Sequence, residues 1–150
     1  MVNRPLPSAG WAAEVLAGAE RFHALVVGPG MGRAEVTATG IRELLAQSSL
    51  PAVVDGDGLF ALAWSDEGPG PLLRRRSAPT VLTPHDGEFS LLAGTRVGAD
   101  RIGAARDLAS RTGAVVLLKG PATVVADPAG EVLVVTAGDE RLATAGSGDV

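Results

Sequence analysis

Short apolar runs that end in glycine, aspartate, lysine or threonine constrain this chain more than any other feature. The runs are Ala24–Gly28, Ala52–Asp55, Thr80–Thr83, Val115–Lys119, Thr123–Ala126 and Val132–Thr136. They are β-branched and continuous rather than alternating, as in buried parallel strands. Amphipathic stretches separate them. Arg33–Gln47 sets Ile41, Leu44 and Leu45 on one side and Arg42 and Glu43 on another. Arg101–Thr112 repeats Ile102, Ala105 and Leu108 at helical spacing, with Asp100 as its cap and Gly113 as its stop. An earlier helix is expected to start from Ser8, with Trp11, Val15 and Ala19 on one face. Asp127-Pro128-Ala129-Gly130 reads as a turn, which makes the last two strands a hairpin. The predicted architecture is α/β: one domain over residues 1–150, a mostly parallel open sheet with helices on both faces and a C-terminal β-hairpin.

Composition narrows the function. Of 150 residues, 46% are hydrophobic, which excludes a disordered chain, while 3% aromatic content leaves the core to Val, Leu, Ile and Ala. Thirteen basic against 17 acidic residues give a net charge of -4, so nothing here attracts nucleic acid non-specifically. Arg74-Arg75-Arg76 is the one basic run, read as a solvated helix end. The absence of Cys removes disulfides and thiolate metal sites and suits a cytoplasmic protein. No apolar run is long enough to cross a membrane as a helix, and no signal-peptide pattern opens the sequence.

Open parallel sheets bind ligands beyond the carboxyl ends of their strands, and there the chain turns polar and glycine-rich. Gly28-Pro29-Gly30-Met31-Gly32 leaves a strand for a helix, where glycines let a phosphate or ribose approach the backbone. Arg33 stands where a dinucleotide fingerprint needs glycine. Asp55 and Asp57 offer two carboxylates for Mg2+ through water, though Asp also favours turns. In Thr83-Pro84-His85-Asp86-Gly87-Glu88, Thr83 is expected to cap a helix with Pro84 in its first position. His85 would then donate to a substrate oxygen and Glu88 would order water around a metal; the plainer alternative is a capping box in the wrong register. Lys119, followed by Gly120, ends an apolar run where a cation suits nucleotide phosphates, although a lone strand-end lysine is commonly just solvated. The strongest signal is Ala145-Gly146-Ser147-Gly148-Asp149, a small-residue loop whose N–H groups form an anion hole, with Asp149 placed as a base.

The ordered series GPGMG, VVDGDGL, VLTPHDGE, VVLLKGPAT and LATAGSGD resembles the ADP-dependent (S)-NAD(P)H-hydrate dehydratases, which form the C-terminal half of bifunctional bacterial repair proteins and have a ribokinase-like fold. The resemblance runs from about residue 22 to 150. It implies dehydration of hydrated NADH or NADPH back to the cofactor, with ADP giving AMP and phosphate; eukaryotic members use ATP. By the same resemblance, Gly30, Gly32, His85 and Asp149 contact substrate. Lys119, Gly120, Pro121, Ala122, Thr123, Gly146 and Gly148 hold the nucleotide, Mg2+ accompanies it, Glu88 reaches the metal through water, and Asp149 is the catalytic base. The resemblance also implies a homo-oligomer, and fusion to an epimerase domain in the longer gene product.

The match has departures. Gly56 and Phe60 replace an Ala and an Asn that are common in the second motif, and KGAGT becomes Lys119-Gly120-Pro121-Ala122-Thr123, where Pro121 removes one N–H donor. The HPGE pattern becomes His85-Asp86-Gly87-Glu88. The series is expected to continue past Val150 and to begin before Met1, so that the activity belongs to a longer product. Two other functions fit parts of the pattern: a vitamin-precursor or sugar kinase of the same superfamily, and an inactive nucleotide-binding fragment.

Overall fold

A computed structural model of the chain describes residue 7 and residues 10–136. Its six strands are β1 (Leu25–Val27), β2 (Ala52–Val54), β3 (Thr80–Leu82), β4 (Val115–Leu118), β5 (Thr123–Ala126) and β6 (Val132–Val135). They lie in one sheet in chain order. β1 to β4 are parallel, whereas the β4–β5 and β5–β6 pairs are antiparallel. Every predicted strand is present, trimmed by up to two residues. The expected hairpin is β5–β6, closed by Gly130 N–H on Asp127 O. Antiparallel pairing reaches one strand further, because β4 and β5 are joined by only Lys119–Ala122, too short for a parallel crossover.

The described helices are α1 (Trp11–Ala17), α2 (Glu35–Gln47), α3 (Asp57–Ala63), α4 (Pro69–Arg75), α5 (Asp86–Ala93) and α6 (Arg101–Thr112), with a short 3-10 turn at Ala19–Arg21. Right-handed crossovers between sequential neighbours bring their helices to one side of the sheet. Strand burial follows: Val27, Val54, Leu82, Val116, Leu118, Val124 and Ala126 are buried, while Val53, Val81, Leu117 and Val125 are only half-buried and Val26 is 74% exposed. Among the described residues the expected helical cover is therefore on one face.

That covered face makes the core. Ile41, Leu44 and Leu45 of α2 are buried as their spacing predicts, beside Leu59 and Leu62 of α3, Phe89 of α5 and Leu108 of α6. Each such side chain contributes on the order of 1.5–3 kcal/mol by leaving water. The α6 caps match expectation: Asp100 accepts from Gly103 N–H at 2.8 Å, and Gly113 is left-handed and donates to Ala109 O. Ile102 is 44% exposed, so the buried stripe of that helix is Ala105, Leu108, Ala109 and Thr112. The helix end read at Arg74-Arg75-Arg76 is that of α4; the sequence pattern showed neither its start nor α3, and both helices are seven residues long and begin beside glycine or proline.

Three local expectations are corrected. The N-cap of α1 is Gly10, with no side-chain cap; Ser8 lies outside the described residues, and Ala19 belongs to the 3-10 turn. The N-cap of α5 is His85 rather than Thr83. Thr83 prolongs the β2–β3 pairing instead, since its N–H and hydroxyl both donate to Val54 O. The arginine run is not uniformly solvated. Arg74 and Arg75 are exposed, but Arg76 turns inward and donates to the carbonyls of Leu45, Ser48 and Leu50 and to the Thr80 hydroxyl. It thus satisfies acceptors that the end of α2 leaves open. No described helix is long and apolar enough to cross a membrane.

Gly40 stands in the middle of α2, where glycine costs about 1 kcal/mol against alanine. Its reason is Trp11: a Cβ at position 40 would sit 2.6 Å from the indole ring. Gly40→Ala should therefore destabilise by about 1–3 kcal/mol, because overpacking outweighs the helix gain. Chemical denaturation checks this. A more stable variant would mean that α1 does not rest on α2 through this indole.

Candidate functional site

The carboxyl ends of β1, β2, β3 and β4 lie side by side, and the loops leaving them are tied to one another. Gly28 follows β1 with φ +122°, and a Cβ there would fall inside contact distance of Asp55 O and Gly58 N. Only glycine fits both that conformation and that approach. Asp57, the first residue of α3, holds the far side of the same loop. Its carboxylate accepts from Gly32 N–H at 2.8 Å and from Arg33 Nε at 2.9 Å. Arg33 also lies over the Phe60 ring at 3.9 Å, and Phe60 meets Trp64 edge to face. The Arg33 bond and the Gly32 N–H hold the Asp57 carboxyl below its ordinary value.

At the next strand end a lysine meets two carboxylates. Lys119 Nζ is 2.9 Å from Asp55 Oδ1 and 3.8 Å from Glu88 Oε2. Burial pushes the Asp55 carboxyl up. The Lys119 hydrogen bond and charge, with the Gly56 N–H and the Thr83 hydroxyl, outweigh that and hold it below the ordinary aspartate value. The Lys119 backbone is fixed as well: its N–H donates to Pro84 O at 2.8 Å, and its carbonyl accepts from Arg101 Nη2 at 2.8 Å.

His85 and Glu88 form a reciprocal cap. His85 Nδ1 accepts from Gly87 N–H at 3.0 Å and Glu88 N–H at 3.3 Å, while Glu88 Oε2 accepts from His85 N–H at 2.9 Å. With His85 as N-cap, Glu88 is at the third helical position, the correct register for a capping box. The cap leaves the imidazole its chemistry. An acceptor at Nδ1 places the proton of the neutral ring on Nε2. The side chain is 60% exposed, and Nε2 lies 3.5 Å from Glu88 Oε2, so that N–H stands as a donor beside the Glu88 carboxylate.

Asp55, His85, Glu88 and Lys119 are thus gathered at one strand edge, and the Gly28–Gly32 loop abuts it through Asp55. Gly30 is exposed, whereas the Gly32 N–H is already given to Asp57. Gly120 and Pro121 are exposed in the β4–β5 connection, with Ala122 and Thr123 half-buried beside them. Gly146, Gly148 and Asp149 lie outside the described residues. The described residues contain no group of three or more His, Cys, Asp or Glu side chains able to cage a metal. Asp55 and Asp57, weighed as a carboxylate pair, are engaged with Lys119 and Arg33 respectively. The sequence reading missed the Asp57 clasp on Gly32, the Lys119–Asp55 pair and Arg101. Each joins residues at least 15 positions apart, and no local pattern records such a pairing. A separate cleft of about 580 Å³ between α2 and the α3–α4 turn, lined by Arg42, Trp64, Asp66 and Arg75 among others, shares no residue with the strand-end cluster.

Comparison with known proteins places the chain in a family. Residues 2–150 match the Carb_kinase family, described as NAD(P)H-hydrate dehydratase. The bifunctional NAD(P)H-hydrate repair enzyme Nnr of Mycobacterium tuberculosis (strain H37Rv) is 52% identical over 134 residues, covering 89% of this chain and 27% of that protein. The enzyme of the same name from Salinibacter ruber is 49% identical over 135 residues, 88% of this chain and 24% of that protein. The chain therefore spans about a quarter of the length of these relatives. Among solved structures, the ADP/ATP-dependent NAD(P)H-hydrate dehydratase of Bacillus subtilis, co-crystallized with ATP/Mg2+, superposes with a TM-score of 0.71 at 30% identity, over 85% of this chain and 43% of that one. A ribokinase-like superfamily protein of Enterococcus faecalis V583, 22% identical, superposes with a TM-score of 0.73 over 93% of this chain and 48% of that one, and shares the fold. With a family match along nearly its whole length and the same fold in a solved dehydratase, this chain belongs to the NAD(P)H-hydrate dehydratase family.

Proposed function

We propose that this chain carries the nucleotide-driven step of nicotinamide cofactor repair, dehydration of the S-epimer of hydrated NADH or NADPH with ADP or ATP as co-substrate. The observation that supports it most is the strand-end cluster: one ammonium, one ring N–H and one carboxylate, from Lys119, His85 and Glu88, beside a glycine loop. Hydroxide is a poor leaving group from the reduced ring. Transfer of a phosphoryl group to the ring hydroxyl makes it a good one; the ring nitrogen then expels phosphate as the neighbouring carbon loses its proton. With ADP the products are NADH or NADPH, AMP and phosphate.

In this reading Lys119 leaves Asp55 to meet phosphate oxygens, and the Gly120–Thr123 backbone seats the nucleotide, with Pro121 offering no N–H. Gly30 and Gly32 border the hydrate, and His85 Nε2–H donates to it. Asp149 takes the hydroxyl proton, and Gly146 and Gly148 line the anion hole. Mg2+ arriving with nucleotide phosphates needs few protein ligands. Glu88 would hold it through water, and the ion would neutralise phosphate oxygens. The reading carries with it a cytoplasmic homo-oligomer and an epimerase domain in the longer protein.

Incubation with hydrated NADH and either ADP or ATP tests the reaction. NADH absorbance should return only when nucleotide is present, and no recovery with either nucleotide would reject the proposal. His85→Asn isolates the histidine, because Asn caps a helix well but cannot reach as far as Nε2. Its melting temperature should stay near wild type while the KM for the hydrate rises about tenfold, the loss of roughly 1.4 kcal/mol of binding. Asp149→Asn should lower turnover by roughly a hundred- to ten-thousand-fold with ADP affinity unchanged. Turnover near wild type would remove Asp149 as the base.

The Lys119–Asp55 pair sets a pH dependence. The folded Asp55 carboxyl lies below its ordinary value. Its stabilisation is thus fully present above about pH 4, the unfolded value, and is lost as pH falls through the lower folded value. Both side chains are more than a third exposed, so screening limits the effect to about 1 kcal/mol or less. Lys119→Met should be less stable than wild type by up to that amount at pH 7, with the gap closing below about pH 4. A gap independent of pH would show that the pair contributes nothing through charge.

A further inference from the structure

Arg101 carries no role in the family resemblance, yet it joins the two strand-end segments on which the proposed site depends. It is the first residue of α6, and its side chain is 21% exposed. Nη1 donates to both Asp86 oxygens, at 2.8 and 3.0 Å, and Nη2 donates to Lys119 O at 2.8 Å. The planar guanidinium thus spans from the first helical residue after His85 to the residue that opens the β4–β5 connection. Two further facts show how closely it is fitted. A Cβ at Gly120 would collide with Nη2 and lie 2.9 Å from Cζ. The Nε atom is buried without a partner among the described residues. Leaving a donor unpaired in this way is costly, and the two Nη donors of the same guanidinium are what hold it there.

We infer that Arg101 is the positioning residue of the nucleotide loop: it locks the backbone of Lys119 and Gly120 against the mouth of α5 and thereby sets the distance between the phosphate-binding segment and His85. This rests on the reading that residues 119–123 hold the nucleotide. The backbone needs such a lock. Lys119 N–H is held by Pro84 O, but beyond Lys119 no backbone hydrogen bond ties Gly120, Pro121 or Ala122 to the rest of the described structure until β5 begins at Thr123. A lysine at position 101 carries the charge without the planar fork, so it cannot hold Asp86 and Lys119 O in one geometry.

Arg101→Met and Arg101→Lys separate these roles, with two readouts on each. The first is amide hydrogen exchange at Lys119, whose N–H is held by Pro84 O, without nucleotide. Both variants should exchange there at least tenfold faster than wild type, while the amides of β4 and β5 away from the loop stay protected. The second is the split of kinetic constants with hydrated NADH. The KM for ADP should rise about tenfold in both, and the KM for the hydrate should change less than twofold. Exchange unchanged in both variants overturns the lock, whatever the loop binds. Faster exchange with an unchanged KM for ADP keeps the lock but removes the nucleotide from this loop, and so overturns the positioning role together with the reading beneath it. A lysine variant that behaves as wild type in both readouts would show that charge alone suffices, and would overturn the geometric role.

Discussion

Lys119 is the point at which four strand-end structures converge. Its N–H closes on Pro84, its carbonyl on Arg101 and its ammonium on Asp55 with Glu88 nearby. The segment after β3, the start of α6 and the end of β2 are therefore all referenced to one residue at the end of β4. An ammonium between carboxylates at a partly exposed edge contributes little to folding. What it establishes is spacing. The parallel strands beneath it fix the backbone, and the polar groups above are held at set distances from one another.

The fold was largely legible because its signal is local. Continuous β-branched runs and the Asp100 and Gly113 caps each lie within a dozen residues, and the structure keeps them. The site was legible only by type. Lysine, histidine and glutamate at strand ends announced polar chemistry, but what each one touches is decided by strand order. Glu88 reads as a misplaced capping residue while Thr83 is taken as the cap; it falls into register once β3 pairing draws Thr83 into the sheet. Arg76 looks like one more surface arginine in a run of three. Its inward turn becomes evident only when the end of α2 is seen to present three carbonyls to it.

Phe60 shows how a departure from a family pattern can be absorbed. The chain has lost the amide common at that position, and the ring instead supports Arg33, which in turn shares Asp57 with the Gly32 N–H. The glycine loop is thus held by an aromatic and ionic stack. The contact between a guanidinium and an aromatic face is worth about 0.5–1 kcal/mol at an exposed site, which suffices to bias a loop that glycines would otherwise leave free.

The backbone contact between Gly28 and the Asp55–Gly58 turn bears on the thermodynamics of ligand capture. Two loops that touch main chain to main chain, with one of them also clasped by Asp57, have few conformations left to surrender when a ligand arrives. Ordering a free loop costs roughly 1–2 kcal/mol per residue in backbone entropy, and here folding has already met most of that cost for the glycine segment. A ligand seated on it would gain affinity from preorganisation rather than from additional contacts.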